Sequence, residues 1–531
     1  MGTYSGAELR QPATPSDLLR AGLDRDPNGL ALVSARARLS WEALEDLTDR
    51  LAAGYLQLGL EPGDRVASLM PNRYELIVHY LACFKAGLVA TPLNYRYTAA
   101  EIDHALGISE ARMLLAHVER EEDLAASDRV AQLPLGTIGY MEAEDGGAAF
   151  QELLERDAPA EALESPAPAA PAVIFFTSGS TGPPKGVTHT HATLGWMFAT
   201  AAAALEFGPG DLVLAGSSLS HVGAFYVSFG ALSAGAGIAV ARTFDGDELL
   251  ALLRDDRPTV LSMLPSALFA LTRDHGATQD DFSSLRLCRA AGDKVSAQLE
   301  REFITLSGTT IDEAYGLSET GLVSVSPPAE IRIGSVGLAA PGVSLSIRDD
   351  VGAEVEAGGE GRAWIKTNGA CVGYWADAAA TDAAFADGWL DTGDILRADP
   401  DGFLYFTGRR KQIIVHDGSN ISPQEIEDVL LEHPSVDSVG VIGIRDEVHG
   451  ENVRAYITLR EGCERPPDVE LIRFARAKIG YKAPEEIVVI DEMPSTATGK
   501  VDRMGLKRMA ESSVHGSGAG VPDQSRTGDP R

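Results

Sequence analysis

Two kinds of apolar pattern alternate along the first three hundred residues. Apolar positions recurring every three or four residues over 41–58 and 74–86 predict helices, whereas short unbroken apolar runs at 65–70 and 89–93 predict buried strands. The same rhythm returns at 259–264, 285–290 and 309–315, each a predicted strand followed by a loop or helix. Helices alternating with strands that are apolar on both faces imply parallel sheets covered by helices. From about Gly334 to Trp375 the pattern changes to short alternating strands with glycine turns, at 343–348 and 361–367, which predicts a small β-barrel or distorted sheet. Past Arg409 a compact α+β segment runs to about Ala510, and 511–531 has too few apolar residues to order itself.

Residues 223–241 carry no charge and approach the roughly 20 residues that a membrane-crossing helix requires. Their wealth of Gly, Ala and Ser, with a break at Gly235-Ala236-Gly237, predicts instead a buried helix, a turn and a buried strand. With 531 residues the chain exceeds one hydrophobic core, so at least two domains are expected. A net charge of −32 repels nucleic acid and anionic lipid, and neither nucleic-acid binding nor stable membrane insertion is expected. Cys83, Cys288, Cys371 and Cys463 are widely spaced, with no C-x-x-C pair, so a disulfide framework and a zinc site are both disfavoured. The first residues lack a basic segment followed by an apolar core, and Gly6 stands where myristoylation needs Ser or Thr. A cytoplasmic protein is expected, and homodimerisation is left open.

The strongest chemical signal is Thr177-Ser-Gly-Ser-Thr-Gly-Pro-Pro-Lys-Gly186, directly after the apolar run 173–176. Glycines let backbone N–H groups approach an anion, Ser178, Ser180 and Thr181 offer hydroxyl donors, and Lys185 adds a mobile cation. Two prolines separate Gly182 from Lys185, so this is not a Walker loop. A flexible Gly/Ser surface loop is the alternative. Ligands of open α/β sheets sit at the carboxyl ends of strands, which places the loops after Phe176, Ala290 and Tyr315 to converge on one nucleotide.

Six motifs then occur in order: FFTSGSTGPPKGVTHTH (175–191), YGLSET (315–320), DTGD (391–394), TGRRKQII (407–414), GSNISPQEIE (418–427) and PSTATGK (494–500). Over nearly the whole chain it resembles the adenylate-forming superfamily of acyl-CoA synthetases, peptide-synthetase adenylation domains and beetle luciferases. The resemblance implies an α/β fold with a large N-terminal domain, 1–408, of two helix-covered, mostly parallel sheets. It also implies a small β-barrel subdomain at about 334–408 and a mobile α+β C-terminal domain at 409–510. The activity implied has two halves: a carboxylate attacks the α-phosphate of ATP and expels pyrophosphate, then the CoA thiol displaces AMP.

The resemblance assigns each motif a task. Thr177, Ser178, Gly179, Ser180, Thr181, Gly182 and Lys185 would hold the β- and γ-phosphates. Thr320 would touch the α-phosphate while Glu319 holds Mg2+, although a lone glutamate is otherwise a solvated carboxylate. Gly292, Asp293 and Lys294 would flank the adenine together with Tyr315 and Gly316. Asp394 would accept hydrogen bonds from the ribose hydroxyls, with Arg409 donating from the other side; Asp-Thr-Gly-Asp is also a good turn sequence. Lys500 would bridge the carboxylate and the α-phosphate, and Lys411 matches the hinge about which the small domain turns. Gly418 and Ser419 would lie on the CoA face.

Departures from the family pattern are Val415, where Lys is common, His416-Asp417-Gly418 in place of Ser-Gly-Gly, and the charged Asp293-Lys294 beside the adenine position. For the acid the resemblance points to His221, Ala224, Phe225, Ala290, Ala291 and Gly316. An apolar wall without an evident Arg suggests an apolar fatty, aryl or polycyclic monocarboxylate, since a second carboxylate would need a paired cation. The expected function is an AMP-forming acyl-CoA ligase using ATP, Mg2+ and CoA. The alternatives are transfer to a carrier protein or amine, or a specialist for one half-reaction. With only a short tail after Ala510, a built-in carrier domain is not expected.

Overall fold

The apolar runs become the inner strands of two sheets, in the computed structural model that describes residues 9–141, 148–156, 163–177, 184–243, 245–356, 358–416, 419–446, 450–496 and 499–516. The first sheet has seven strands, in the order Gly373–Tyr374, Lys185–Thr190, Pro171–Thr177, Val89–Pro92, Arg65–Leu69, Met113–His117, Thr137–Tyr140. Its inner pairs are parallel, and Pro171–Thr177 and Lys185–Thr190 form an antiparallel hairpin in which Thr177 faces Lys185. The second sheet has nine strands and is parallel from Leu30–Ser34 through Gly237–Val240, Leu212–Ala215, Val260–Met263 and Leu287–Ala291 to Ile311–Leu317. The expected α/β class with helix-covered parallel sheets is therefore the observed one.

Helices Tyr74–Lys85, His191–Ala204 and Val222–Ser233 contribute rings to one aromatic core. Phe225 and Phe229 lie 4.5 Å apart, and Phe175 of the first sheet meets Phe225 edge-on at 5.0 Å, a geometry that adds about 1 kcal/mol beyond area burial. The charge-free segment folds as expected: helix Val222–Ser233, a turn in which Gly235 takes φ +74°, and buried strand Gly237–Val240. Among the described residues no helix is long and apolar enough to cross a membrane.

A third, antiparallel sheet curls from Val343–Arg348 through Glu360–Thr367 and Trp389–Ala398 to Phe385–Ala386, with Leu404–Arg409 also pairing with Trp389–Ala398. Its core of Leu345, Ile347, Ala363, Ile365, Leu396 and Leu404 also takes in Tyr315 and Val323, which binds it to the edge of the nine-stranded sheet.

The chain divides into two compact units, 1–406 and 407–531, so the division falls inside strand Leu404–Arg409. In the second unit strands Ile414–His416, Ser419–Ile421, Val436–Asp446, Gly450–Leu459 and Glu486–Val489 form one sheet. It is covered by helices Pro423–Leu431 and Asp468–Ile479 over a core that includes Ile426, Leu430, Val441, Ile457 and Leu471. Helix Arg503–Gly516 runs into the segment expected to be disordered: Leu506 and Ala510 are buried, and once a helix is anchored each further turn needs no new nucleation. Residues 517–531 lie outside the described residues.

One part-buried ion pair holds this helix. Both carboxylate oxygens of Glu427 accept from Arg503 Nη2, at 2.7 and 2.6 Å, and Oε1 also accepts from Val441 N at 2.7 Å. Arg503 keeps 23% side-chain exposure, so removing Glu427 leaves its charge partly solvated, and Glu427→Ala is expected to destabilise the second unit by about 2 kcal/mol. Hydrogen exchange checks this: amides of Pro423–Leu431 and Arg503–Gly516 lose protection while those of Leu30–Ser34 keep theirs.

Candidate active site

At the carboxyl end of Ile311–Leu317 the chain turns back into Gly321–Val325 with almost no room to spare. A Cβ on Gly316 would sit 2.5 Å from the carbonyl oxygen of Gly321, closer than any side chain can stand, so the hairpin requires glycine there. The turn presents Ser318, Glu319 and Thr320, and the first two are bonded to other segments. The Ser318 carbonyl accepts from His189 Nε2 at 2.8 Å, and the Glu319 carbonyl accepts from Cys371 N at 2.7 Å. Glu319 Oε1 accepts from the Tyr374 hydroxyl at 2.8 Å, and Lys185 Nζ lies 4.7 Å from the centre of the Tyr374 ring.

The Thr320 hydroxyl is buried and has no hydrogen-bond partner among the described residues. A buried hydroxyl without a partner is costly, and a ligand oxygen beside it removes the cost. Tyr315 donates to Asp394 Oδ2 at 2.7 Å, with Asp394 wholly buried, which joins YGLSET to DTGD. Lys185, Glu319, Thr320, Tyr315 and Asp394 are thereby linked through one set of contacts. Among the described residues no group of three or more His, Cys, Asp and Glu could hold a metal ion. A single carboxylate, Glu319, suits Mg2+ that arrives on a polyphosphate and keeps several waters.

Of the other expected nucleotide residues, Gly292 takes φ +94°, with Leu264 Cδ2 2.9 Å from where a Cβ would be. Asp293 is exposed, and its carboxylate accepts from Lys294 N at 2.9 Å. Ser178, Gly179, Ser180, Thr181 and Gly182 lie outside the described residues, as does Gly418. Arg409 ends strand Leu404–Arg409 and is half-buried. Lys411 belongs to a single 3-10 turn, Arg410–Gln412, and Ser419 opens strand Ser419–Ile421; both side chains are outside the described residues. Lys500 is exposed in a tight turn in which Thr496 N donates to the Lys500 carbonyl at 2.7 Å and Lys500 N to Thr496 Oγ1 at 3.2 Å.

Around the expected acyl site, His221 Nε2 accepts from the Asn94 amide at 3.1 Å at the start of helix Val222–Ser233. Ala224 is buried on that helix, and Phe225 is wholly enclosed by Phe175, Tyr80 and Phe229. Ala291 shares the sheet face of Leu287, whereas Ala290 points the other way, into the cluster of Leu249, Leu253 and Phe303. Arg289, on the same strand face as Leu287 and Ala291, is fully buried and donates to the Tyr226 hydroxyl at 2.9 Å, a charged residue next to the apolar wall that the sequence suggested.

Two functional candidates escaped the sequence reading. Tyr374 reaches the site through a two-residue strand paired with Val187 and Thr188, a contact with no local periodicity to betray it. Arg289 sits in an otherwise apolar run, and a charge inside such a run was its available signal.

A family model described as AMP-binding enzyme matches residues 19–375, and one described as AMP-binding enzyme C-terminal domain matches 425–500. The chain belongs to the AMP-binding enzyme family. It is 32% identical to an indoleacetate–CoA ligase of Aromatoleum aromaticum over 92% of this chain and 96% of that protein. It is 29% identical to a feruloyl-CoA synthase of an Amycolatopsis species over 91% and 96%. The ATP-bound crystal structure of MatB from Rhodopseudomonas palustris superposes with a TM-score of 0.86 at 27% identity, covering 94% of this chain and 100% of that one. This family member is an acid–thiol ligase of the AMP-forming kind, with ATP, Mg2+ and CoA as its small-molecule requirements.

The ligase's central bridge is sensitive to acid. Burial lowers the His189 imidazole to about 4 from an ordinary 6.5, so the folded chain refuses a proton that the unfolded chain accepts. Stability is therefore complete above pH 6.5 and is lost as pH falls toward 4. Between pH 7 and pH 5 this histidine accounts for about 2 kcal/mol, and His189→Gln is expected to unfold in urea with that much less pH dependence than the parent.

Proposed function

We propose that this ligase activates an aryl or other mainly apolar carboxylic acid as its acyl-adenylate and passes the acyl group to the CoA thiol. The observation that carries this reading is the buried Thr320 hydroxyl, without a hydrogen-bond partner among the described residues, next in sequence to Glu319, whose carboxylate meets the Tyr374 hydroxyl under Lys185. The relatives named for indoleacetate and ferulate support an aromatic acid.

In the first half-reaction a carboxylate oxygen bonds to the α-phosphorus while the bond to the bridging oxygen breaks and pyrophosphate leaves. Negative charge crowds the phosphorus most in the transition state, so donors fixed there lower the barrier more than they tighten ATP binding. Thr320 would donate to an α-phosphate oxygen, and Lys185 and the glycine loop would hold the β- and γ-phosphates. Glu319, oriented by the Tyr374 hydroxyl, would hold Mg2+, whose charge neutralises phosphate oxygens. Asp394, kept buried by Tyr315, would accept from the ribose hydroxyls, with Arg409 donating. Lys500 would supply the cation between the entering carboxylate and the α-phosphate. In the second half the thiolate sulfur bonds to the acyl carbon and AMP departs with the electron pair; Lys411 would be the hinge between the halves, and Gly418 and Ser419 would meet CoA. A cytoplasmic location fits these substrates.

Incubation with Mg-ATP and a panel of acids, with and without CoA, followed by mass spectrometry of acyl-AMP, pyrophosphate and acyl-CoA, tests the proposal. Acyl-CoA forming only with ATP and CoA together is the expected result; acyl-AMP without thioester would replace CoA by another acceptor. Lys500→Ala is expected to slow acyl-AMP formation about 10²- to 10³-fold, and Thr320→Val about 10- to 100-fold, the value of a hydrogen bond to a charged group.

A further inference from the structure

Lys185 enters its strand from a residue whose backbone is held by a distant helix. His104, on helix Ala99–Ser109, has its Nε2 2.8 Å from the Pro184 carbonyl oxygen. A carbonyl oxygen only accepts, so this nitrogen carries the proton and donates. Pro184 has no backbone N–H and its ring fixes φ, which leaves ψ as the one soft torsion before Lys185. That torsion swings the peptide plane joining Pro184 to Lys185, and the bond from His104 to the carbonyl fixes it. Pro184 is half-buried, so water is an alternative partner for its carbonyl. What a side-chain donor adds is direction.

The helix that carries His104 is itself firmly seated. Thr98 and Glu101 close a capping box on its first turn, with Thr98 N donating to Glu101 Oε2 at 2.8 Å. Asp103, next to His104, accepts from Arg129 N at 2.9 Å and from Asp128 N at 3.2 Å, and Ile102, Ala105 and Leu106 are buried. A shift of the helix would break these contacts, so the imidazole stands on a fixed support. On the far side of Lys185 the strand is held as well. Lys185 faces Thr177 in the hairpin, and the Gly186 carbonyl accepts from Trp375 N at 2.6 Å. A Cβ on Gly186 would stand 2.9 Å from Ile174 Cγ2, which shows how closely this backbone is packed. The Lys185 ammonium then lies 4.7 Å from the centre of the Tyr374 ring. A flexible four-carbon stem aims its charge well only when its backbone is fixed.

We infer that His104 is a positioning residue for Lys185: by fixing the Pro184 carbonyl it sets the point from which the ammonium reaches the terminal phosphates of ATP. The inference rests on the proposed task of Lys185 at the β- and γ-phosphates. AMP lacks those phosphates, so His104 acts on the binding of ATP and leaves that of AMP alone.

The test is the calorimetric Kd for Mg-ATP and for AMP, without acid so that nothing turns over, in the full chain and in His104→Ala, His104→Gln, Lys185→Ala and His104→Ala/Lys185→Ala. His104→Ala is expected to weaken ATP about 3- to 10-fold, the value of one neutral hydrogen bond, with AMP changed less than about twofold. His104→Gln places an amide N–H near the position of Nε2 and is expected to restore ATP binding to within about twofold of the parent. In the Lys185→Ala background the His104 substitution is expected to add less than about twofold, because a residue that acts through another has nothing left to position. Unchanged AMP affinity in the same samples reports an intact fold, and His104→Leu supplies the comparison if His104→Ala does not fold. Equal losses for ATP and AMP, a loss that multiplies with that of Lys185→Ala, or ATP affinity unmoved by His104→Ala would overturn the inference. ATP affinity unmoved by Lys185→Ala would overturn the reading of Lys185, and the inference with it.

Discussion

The close approach of Gly316 to the carbonyl of Gly321 is the constraint on which the site depends. Because no side chain fits there, the hairpin is short enough to hold Ser318, Glu319 and Thr320 in one tight turn, and Ser318, Glu319 and the preceding Tyr315 are each tied to a different part of the chain. Ser318 meets His189 of the first sheet, Glu319 meets Cys371 and Tyr374, and Tyr315 just before the turn meets Asp394 of the curled sheet. Three sheets are therefore indexed to a single turn. A bulkier residue at 316 would loosen all three connections together, which separates this position from an ordinary strand residue.

A chain with net charge −32 must still attract a nucleotide triphosphate. Overall repulsion is screened within about 10 Å at ordinary ionic strength, so the balance is decided locally. Near Glu319 the local cation is Lys185, held over the Tyr374 ring, whose hydroxyl simultaneously donates to Glu319. One aromatic side chain thus separates a cation from a carboxylate that would otherwise neutralise it. The carboxylate and the ammonium then remain available for a metal ion and a phosphate respectively.

The sheets were legible because parallel strands buried on both faces read as unbroken apolar runs, and 65–70, 89–93 and 259–264 each overlap an observed strand. The turn Gly-Leu-Ser-Glu-Thr was picked out by its resemblance to a family motif, and the apolar run before it located it at a strand end. Tyr374 was hidden because its two-residue strand gains meaning only by pairing with Val187 and Thr188, nearly two hundred residues earlier. Arg289 was hidden by its neighbours: five residues of Leu287–Ala291 satisfy a strand pattern whichever face each one takes, and alternation alone does not say that residue 289 looks toward Tyr226. The helical continuation past Ala510 was missed because composition reports whether a segment can fold alone, whereas this one extends a helix already anchored through Leu506 and Arg503.

Buried polar atoms without partners are few in folded proteins, and each lowers stability. Among the described residues Thr320, Ser324 and Arg289 have such atoms on strands of the nine-stranded sheet or in a turn between two of them, and others lie at Trp41 and Trp364. The same sheet elsewhere satisfies its polar groups: Glu313 receives Val295 N, and Glu300 receives Ile311 N. The aromatic cluster around Phe225 lies against helix Val222–Ser233 and supplies compensating burial within one helical turn of Tyr226. The helix therefore combines a packed aromatic face that stabilises the fold with one buried polar contact, Tyr226 to Arg289.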